Sequence, residues 1–352
     1  MKNILLLTGI LLVNLLNAQT FTLIGLPDTQ KYTKEEDGGV KEMFYAQTQW
    51  IADNVDAENI VFVSHFGDIT DDGSNPGALI QWEYADIAMT TLEESDYSVD
   101  GIPYAVLPGN HDKFGGMSNY TTYFGIDRFA GRWYYGDGYQ GNENSYCLFS
   151  ASGMDFILVS IEYNPSNSYQ IAWADGILST YSDRRAIVVS HSILETDGTW
   201  STDGGENVYN MAKDHDNVFL MLCGHNHGEI HRTDTYNGNT IHTVLSDYQD
   251  WTNGGDGYLR IMQFDPDNDV INFKTYSPWL DEWSTTSESQ FSLPYDMDGG
   301  TTTNNPPQIQ NQNFSLAENT ANGQSVATVV ATDPDAGQLL SFSIISGNTR
   351  KG

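Results

Sequence analysis

The stretch Ile60–Asp71, IVFVSHFGDITD, contains the features that decide the fold. Its first seven residues are rich in β-branched and aromatic side chains, and this composition over so short a run predicts a buried strand. The run stops at Gly67-Asp68, a turn-forming pair. In open α/β sheets, ligands bind beyond the carboxyl ends of the strands. The stretch therefore predicts a strand that places the carboxylate of Asp68 at a ligand-binding edge.

Four further strand-like runs end in the same way, at short loops that carry Asp, Asn or His. These loops are Pro27-Asp28, Pro108–Asp112, Ser190-His191 and Gly224–His227. Apolar residues at helical spacing lie between the strands, over Met43–Val55, Leu79–Leu92 and Ile171–Tyr181. The alternation predicts an α/β fold, with additional strands from Thr240 onward. We expect the five loops to meet at one crevice.

The composition limits which partners the protein can have. The 352 residues include 47 Asp and Glu but only 15 Lys and Arg, for a formal net charge of −32. Such a surface repels nucleic acid and anionic membranes, so we expect neither as a partner. It also repels a phosphate-bearing substrate unless cations are concentrated at the site. Bound metal ions are the expected source of that positive charge.

The N-terminus has the pattern of a secretory signal peptide. Lys2 precedes an apolar stretch, Ile4–Leu16, and Ala18 is a suitable residue for cleavage. We expect residues 1–18 to be removed, leaving no membrane span and a secreted or periplasmic protein. The alternative is a membrane anchor or a buried first strand. Two cysteines, Cys147 and Cys223, leave one disulfide and two buried free thiols equally open.

The polar residues at the strand ends form an ordered set that suits metal binding. The set is Asp28-x-Gln30, Gly67-Asp68-x-x-Asp71, Gly109-Asn110-His111-Asp112, His191 and Gly224-His225-x-His227. Imidazole nitrogens together with carboxylate and amide oxygens suit Mn, Fe or Zn. A central carboxylate can bridge two ions, and two ions can clamp a phosphoryl group and activate water. We assign Asp68 as the bridge.

This ordered set resembles that of the calcineurin-like metallophosphoesterase superfamily, over Phe21 to Tyr295. The resemblance implies an α/β sandwich of two central sheets flanked by helices. It also implies two divalent ions and attack by a metal-bridging hydroxide. By matching motif, the first metal takes Asp28, Gln30, Asp68 and His227, and the second takes Asp68, Asn110, His191 and His225. His111 would then protonate the leaving oxygen, and Asp112 would orient His111.

Gln30 departs from the family's pattern, which usually has histidine at this position. A glutamine oxygen is a neutral and weaker donor than imidazole. Gln30 either binds the first metal through that oxygen or only hydrogen-bonds to residues that do.

The C-terminal part of the chain differs from the rest. Residues 19–297 are expected to form the metallophosphoesterase domain, and the polar stretch 298–307 is expected to be a linker. Residues 308–352 resemble the start of an all-β cadherin-like domain and are too few to complete it. In that family, the positions of Glu318, Asp333 and Asp335 bind calcium. The alternative is that these residues are solvated acidic turns.

The predicted function is that of a secreted dinuclear-metal phosphoesterase acting on a small phosphate mono- or diester. The motifs do not separate monoesters, diesters and nucleotides. The alternative is a catalytically degenerate binding or adhesion protein that lost its chemistry through Gln30. Arg128 and Arg132 follow the third motif and either grip a substrate phosphate or pack on neighbouring aromatic rings.

Overall fold

The computed structural model describes residues 19–165 and 168–297, with four single positions at 312, 328, 330 and 331. The expected signal peptide (1–18), the linker (298–307) and the three calcium ligands of the cadherin-like segment lie outside the described residues. The division of the chain into these parts therefore stays a prediction.

Fourteen strands and eight helices make up the part of the chain that the structure describes up to Met297. In chain order, the strands are β1 (Phe21–Leu26), β2 (Ile60–His65), β3 (Tyr104–Ala105), β4 (Tyr135–Tyr139), β5 (Asn144–Ala151), β6 (Met154–Ile161), β7 (Arg185–Ser190), β8 (Val218–Cys223), β9 (Gly228–Tyr236), β10 (Asn239–Asp247), β11 (Leu259–Asp265), β12 (Val270–Ser277), β13 (Glu282–Ser284) and β14 (Phe291–Pro294). The helices are α1 (Gln30–Lys34), α2 (Lys41–Asn54), α3 (Leu79–Glu93), α4 (Ser118–Phe124), α5 (Ile126–Phe129), α6 (Ser168–Thr180), α7 (Gly205–Ala212) and α8 (Thr252–Gly255).

The strands form two mixed sheets of seven strands each. The first has the order β13-β12-β11-β1-β2-β3, with β14 also paired to β12, and its β1, β2 and β3 are parallel. The second has the order β4-β5-β6-β7-β8-β10-β9, with β6, β7, β8 and β10 parallel. The prediction of an α/β fold with two central sheets and flanking helices is confirmed.

Alternating side chains along β6 and β7 show how the layers pack. Phe156 and Ile187 belong to the core that also contains strands of the first sheet, whereas Ile157 and Val188 belong to a second core with α6 and α7. Successive strand side chains point to opposite faces, so the second sheet lies between two cores. Phe21 of the first sheet contacts Phe156 of the second, with ring centroids 5.6 Å apart.

The helical pattern of α2 explains its packing. Met43, Phe44, Gln47 and Ile51 are buried and recur at helical spacing, so they form one face directed to the core. The predicted third strand, Pro103–Leu107, is shorter than expected. It is an edge strand that pairs with β2 only through Tyr104 and Ala105.

Cys147 and Cys223 are buried free thiols and do not form the disulfide that the sequence left open. Within residues 19–165 and 168–297, no helix has the length and apolar character needed to cross a membrane.

Candidate metal centre

The parallel pairing of the strands explains why distant motifs meet. β1 and β2 are adjacent and parallel in the first sheet, and β7 and β8 are adjacent and parallel in the second. Asp28 and Asp68 lie just beyond the carboxyl ends of the first pair, and His191 and His225 just beyond those of the second. Loops at the carboxyl ends of parallel neighbours lie side by side, so four candidate ligands reach one place.

The centre of the site is a largely buried group of electron-pair donors, in which Asp68 and His191 are buried and His225 is half-buried. Donor atoms of Asp68, His191 and His225 lie within 4.8 Å of one another. His191 Nε2 is 3.2 Å from Asp68 Oδ2, 3.1 Å from Asn110 Oδ1 and 4.0 Å from Asp28 Oδ2. The structure therefore brings Asp28, Asp68, Asn110, His191 and His225 together.

The hydrogen bond of the other His191 nitrogen fixes which atom faces this group. His191 Nδ1 lies 2.8 Å from the carbonyl oxygen of Phe66, which can only accept, so Nδ1 carries the proton. Nε2 is then left facing the oxygens of Asp68 and Asn110. A proton on Nε2, or a cation bound between Nε2 and these oxygens, would make the close approach of these atoms favourable.

Gly109 and Gly224 are required because the carboxylates of two candidate ligands, Asp68 and Asp28, approach them closely. A Cβ at Gly109 would lie 2.1 Å from Asp68 Oδ1, and one at Gly224 would lie 2.2 Å from Asp28 Oδ1. Neither position can accept a larger residue without moving the carboxylate. The glycines of the Gly-Asn-His-Asp and Gly-His-x-His motifs thus leave room for ligands that other strands supply.

The electrostatics of the pocket favour a cation. Burial raises the pKa of Asp28 well above its ordinary value, and the Asp247 and Asp68 carboxylates raise it further. Burial also raises the pKa of Asp247. Burial acts to raise the pKa of Asp68, but its contacts with His191 and His111 together outweigh this and lower the pKa. Three buried carboxyl groups in one pocket concentrate negative charge, which metal ions would neutralise.

Gln30 provides a test of whether these residues fit a metal. Its Nε2 donates to Gln249 Oε1, whereas its Oε1 is buried and has no hydrogen-bond partner among the residues that the structure describes. A buried polar oxygen without a partner is costly unless something absent from the protein chain pairs with it. The free oxygen, the carboxylates and the imidazoles are a donor set that fits a divalent ion.

His225 and His227 differ in their surroundings. The His225 ring contacts the His191 ring, with the centroids 4.8 Å apart and the ring planes tilted by 59°. His225 Nε2 is 3.3 Å from Asp203 Oδ2. Burial and the neighbouring His191 lower the pKa of His225 to about 4. His227 is 40% exposed, and its Nδ1 lies 2.8 Å from Asp250 Oδ1. The His227 ring therefore faces an exposed carboxylate rather than the group formed by Asp68, His191 and His225.

His111 is held by Asp71. Its Nδ1 lies 3.0 Å from the Asp71 carbonyl oxygen and 3.1 Å from Asp71 Oδ1, so Nδ1 donates and Nε2 stays free. Burial acts to lower the pKa of His111, but Asp71 and the charge of Asp68 raise it to about 9. The backbone N–H of His111 also donates to Asp68 Oδ1, at 2.8 Å. His111 therefore contacts the expected bridging carboxylate through its backbone, and its Nε2 makes no hydrogen bond within the part of the chain that the structure describes.

Asp112 does not have the expected role of orienting His111. Both of its oxygens accept hydrogen bonds, from the backbone N–H groups of Ile69, Thr70 and Gly109 and from the Thr70 hydroxyl. Burial and Asp68 raise the pKa of Asp112 to about 7, against the effect of these backbone donors. Asp112 is fully buried and ties the loop after β2 to the loop after β3. It therefore supports the backbone of Asp68, and Asp71 takes the role of orienting His111.

Arg128 and Arg132 do not extend toward the site. Arg128 pairs with Asp86 and Glu93 and lies over the Phe124 ring, and Arg132 pairs with the same Glu93. Their charges are neutralised within the fold, which favours the packing alternative over a phosphate grip.

Two site residues were missed by the sequence reasoning, which took the region after Thr240 for plain strands. Asp247 is the last residue of β10, which runs parallel to β8, Gln249 lies two residues further on, and both are buried. A signal was present, because Asp247-x-Gln249 repeats the spacing of Asp28-x-Gln30 at the end of another strand.

The two mixed sheets, together with carboxylate, amide and imidazole donors at their strand ends, define a metallophosphoesterase-type α/β protein. The family model for calcineurin-like phosphoesterases matches residues 23–229, more than half of the chain. The chain belongs to this family, whose members are phosphoester hydrolases that use divalent metal ions.

The chain is also similar to individual proteins. The chain is 35% identical over 293 residues to the uncharacterized protein YvnB of Bacillus subtilis, covering 79% of this chain and 22% of YvnB. It thus spans about a fifth of the length of that relative. A dimetal phosphatase from Danio rerio has the same fold, with a TM-score of 0.50 and 13% identity over 78% of this chain and 99% of that one. GAP50 of Plasmodium matches with a TM-score of 0.48 and 15% identity, over 79% and 90% of the two chains.

Proposed function

We propose that this protein is an exported two-metal phosphoesterase that hydrolyses a small phosphate mono- or diester. The observation that carries the proposal is the largely buried group of electron-pair donors around Asp68, whose Oδ1 accepts from the backbone N–H of His111. When bound, two divalent ions would supply an activated water and offset the charge of the phosphoryl group.

The side chains divide into two sets around Asp68. Asp28, Gln30 and His227 would complete the first metal's ligands, and Asn110, His191 and His225 the second's. His227 would have to exchange its contact with Asp250, which is an exposed pair and therefore weak. The Phe66 carbonyl, by accepting from His191 Nδ1, keeps His191 Nε2 directed at Asp68.

His111 would act on the leaving group. Its Nδ1 is occupied by Asp71, so the proton available to a substrate oxygen is the one on Nε2. The retention of this imidazole, and the free oxygen of Gln30, disfavour the alternative of a degenerate binding protein.

Export is proposed from the N-terminal sequence alone. Lys2 followed by the apolar run Ile4–Leu16 and Ala18 fits a cleaved signal. We expect the native protein outside the cytoplasm, with Gln19 as its first residue in N-terminal mass spectrometry. A native protein that retains residues 1–18 would contradict cleavage.

Metal removal tests the proposed activity directly. The purified protein should hydrolyse phosphomonoesters, diesters or nucleotides, lose this activity on chelation and regain it with Mn²⁺, since the acidic chain needs cations to hold phosphate. Elemental analysis should give about two ions per chain in the active protein. Full activity in protein shown to be metal-free would overturn the proposal.

A further inference from the structure

The second Asp-x-Gln segment, Asp247-Tyr248-Gln249, is buried and contacts the first one. Asp247 is fully buried and Gln249 is 4% exposed. Its Asp247 carboxyl raises the pKa of Asp28, and its Gln249 accepts from Gln30. A polar segment buried this deeply needs a structural or functional reason, because each of its groups must be paired.

The hydrogen bonds of this segment have a fixed direction. Asp247 Oδ1 accepts from the backbone N–H of Gln249, at 2.9 Å, and Asp247 Oδ2 accepts from Gln249 Nε2, at 3.1 Å. A carboxylate only accepts, so Gln249 must present its amide nitrogen to Asp247 and its oxygen to the other side. That oxygen accepts from Gln30 Nε2, and Gln30 Oε1 is the one atom of the series without a partner.

This direction matters because an amide, unlike a carboxylate, has one end that can bind a cation and one end that repels it. A glutamine free to rotate would present either end. The chain of bonds from Asp247 through Gln249 removes this choice and leaves the oxygen of Gln30 as the available atom. The same mechanism, in which an outer partner orients a ligand, is general in metal sites.

We propose that Asp247 and Gln249 are positioning residues, which orient the Gln30 amide so that its Oε1 binds the first metal where related proteins use histidine. This inference rests on the two-metal function proposed above. It explains how a weak, ambiguous donor can serve as a ligand.

The test measures Mn²⁺ binding to the purified protein, by titration calorimetry and by equilibrium dialysis with elemental analysis. In Gln249→Leu, Gln30 loses its orienting partner, and the Kd of one of the two Mn²⁺ sites should rise by about 10–100-fold, the usual effect of losing an outer partner. The other site should change by less than about threefold, because its ligands do not contact Gln249.

Gln47→Leu is a matched control. Like Gln249, Gln47 is a buried glutamine whose Nε2 donates one hydrogen bond, here to the Tyr258 carbonyl, and like that of Gln30 its Oε1 has no partner among the described residues. It lies on α2, and its hydrogen bond goes to Tyr258 rather than to a proposed metal ligand. Both Mn²⁺ affinities should be unchanged in this variant.

Asp247→Asn provides an independent second variant. The introduced amide would use its one oxygen for the backbone N–H of Gln249 and turn its own NH₂ toward the Gln249 side chain. Gln249 and Gln30 would then reverse, and Gln30 would present nitrogen to the metal. The first site should weaken at least as much as in Gln249→Leu.

A double-mutant cycle separates positioning from a general loss of charge or packing. If Gln249 acts through Gln30, then Gln249→Leu should add less than about twofold in Kd to a Gln30→Leu protein. Gln30→His should tighten the first site, because imidazole is the stronger donor. Circular dichroism and thermal unfolding identify variants that fail to fold.

The outcomes are distinguishable. Parent protein that binds no Mn²⁺ would overturn the two-metal function and this inference with it. Two Mn²⁺ sites in the parent, with unchanged affinity in folded Gln249→Leu or Asp247→Asn, would overturn the positioning role alone. Fully additive effects of Gln30→Leu and Gln249→Leu would do the same, as would unchanged affinity in Gln30→His.

Discussion

Replacing Asp68 by asparagine should lower kcat/KM by about 10³-fold, corresponding to about 4 kcal/mol of transition-state stabilisation. Both oxygens of Asp68 make contacts at the site, Oδ2 with His191 and Oδ1 with the backbone N–H of His111, from which it accepts. Asparagine keeps the shape but supplies one neutral oxygen instead of a carboxylate that can bridge two ions. The loss should appear both in rate and in metal content.

The measurement is kcat/KM with added Mn²⁺, together with the number of ions retained after dialysis. Asp175→Asn is a suitable control, because Asp175 also pairs with a histidine, His215, at 3.0 Å, but outside the site. It should leave both quantities unchanged. An Asp68→Asn enzyme with parental rate and two retained ions would contradict the bridging assignment.

Candidate ligands that the structure brings together were easier to predict from the sequence than the residues that support them. Asp28, Asp68 and His191 each follow a strand directly, and their positions depend on local features: an apolar run, its end and a turn. Parallel pairing then brings such positions together in any sheet of this kind. These features can be recognised in a single stretch of sequence.

The supporting residues depend on contacts between distant parts of the chain. Gln249 contacts Gln30 across 219 positions, and β10 reaches β8 only after the intervening β9. Nothing local in an apolar run such as Thr240–Leu245 distinguishes a strand that ends at the site from one that does not. A repeated Asp-x-Gln spacing was the available indication.

The orientation of His111 shows a second reason why contacts in the site could not be predicted from the sequence. Asp112 is adjacent in sequence and Asp71 is 40 positions away, yet Asp71 holds the ring. The turn after Asn110 directs the side chain of Asp112 into the protein, where it accepts from Ile69 and Thr70. Adjacency along the chain does not determine which of two carboxylates meets an imidazole.

Replacing His111 by alanine should lower turnover of alkyl phosphate esters by about 10²–10⁴-fold, the usual contribution of a positioned proton donor. Aryl phosphates with acidic leaving groups should lose much less, because their leaving oxygen departs without a proton. The measurement is kcat for a series of esters of rising leaving-group pKa, in parent and variant. The slope of log kcat against that pKa should become steeper in His111→Ala.

His215→Ala, which removes a histidine outside the site, should leave this slope unchanged. An equal loss on all esters in His111→Ala would instead indicate that the imidazole binds metal or supports the fold.

Substitutions of the two carboxylates near His111, those of Asp71 and Asp112, should have different effects on the enzyme. Asp71→Asn weakens the partner of His111 Nδ1, so it should steepen the same slope, though less than His111→Ala. Asp112→Asn leaves at least one buried donor of the Ile69–Thr70 segment unpaired, which costs about 1–3 kcal/mol of unfolding free energy. It should lower kcat for every ester alike, because it displaces Asp68 without touching the proton donor. The reverse pattern, with a leaving-group effect in Asp112→Asn and none in Asp71→Asn, would return the orienting role to Asp112.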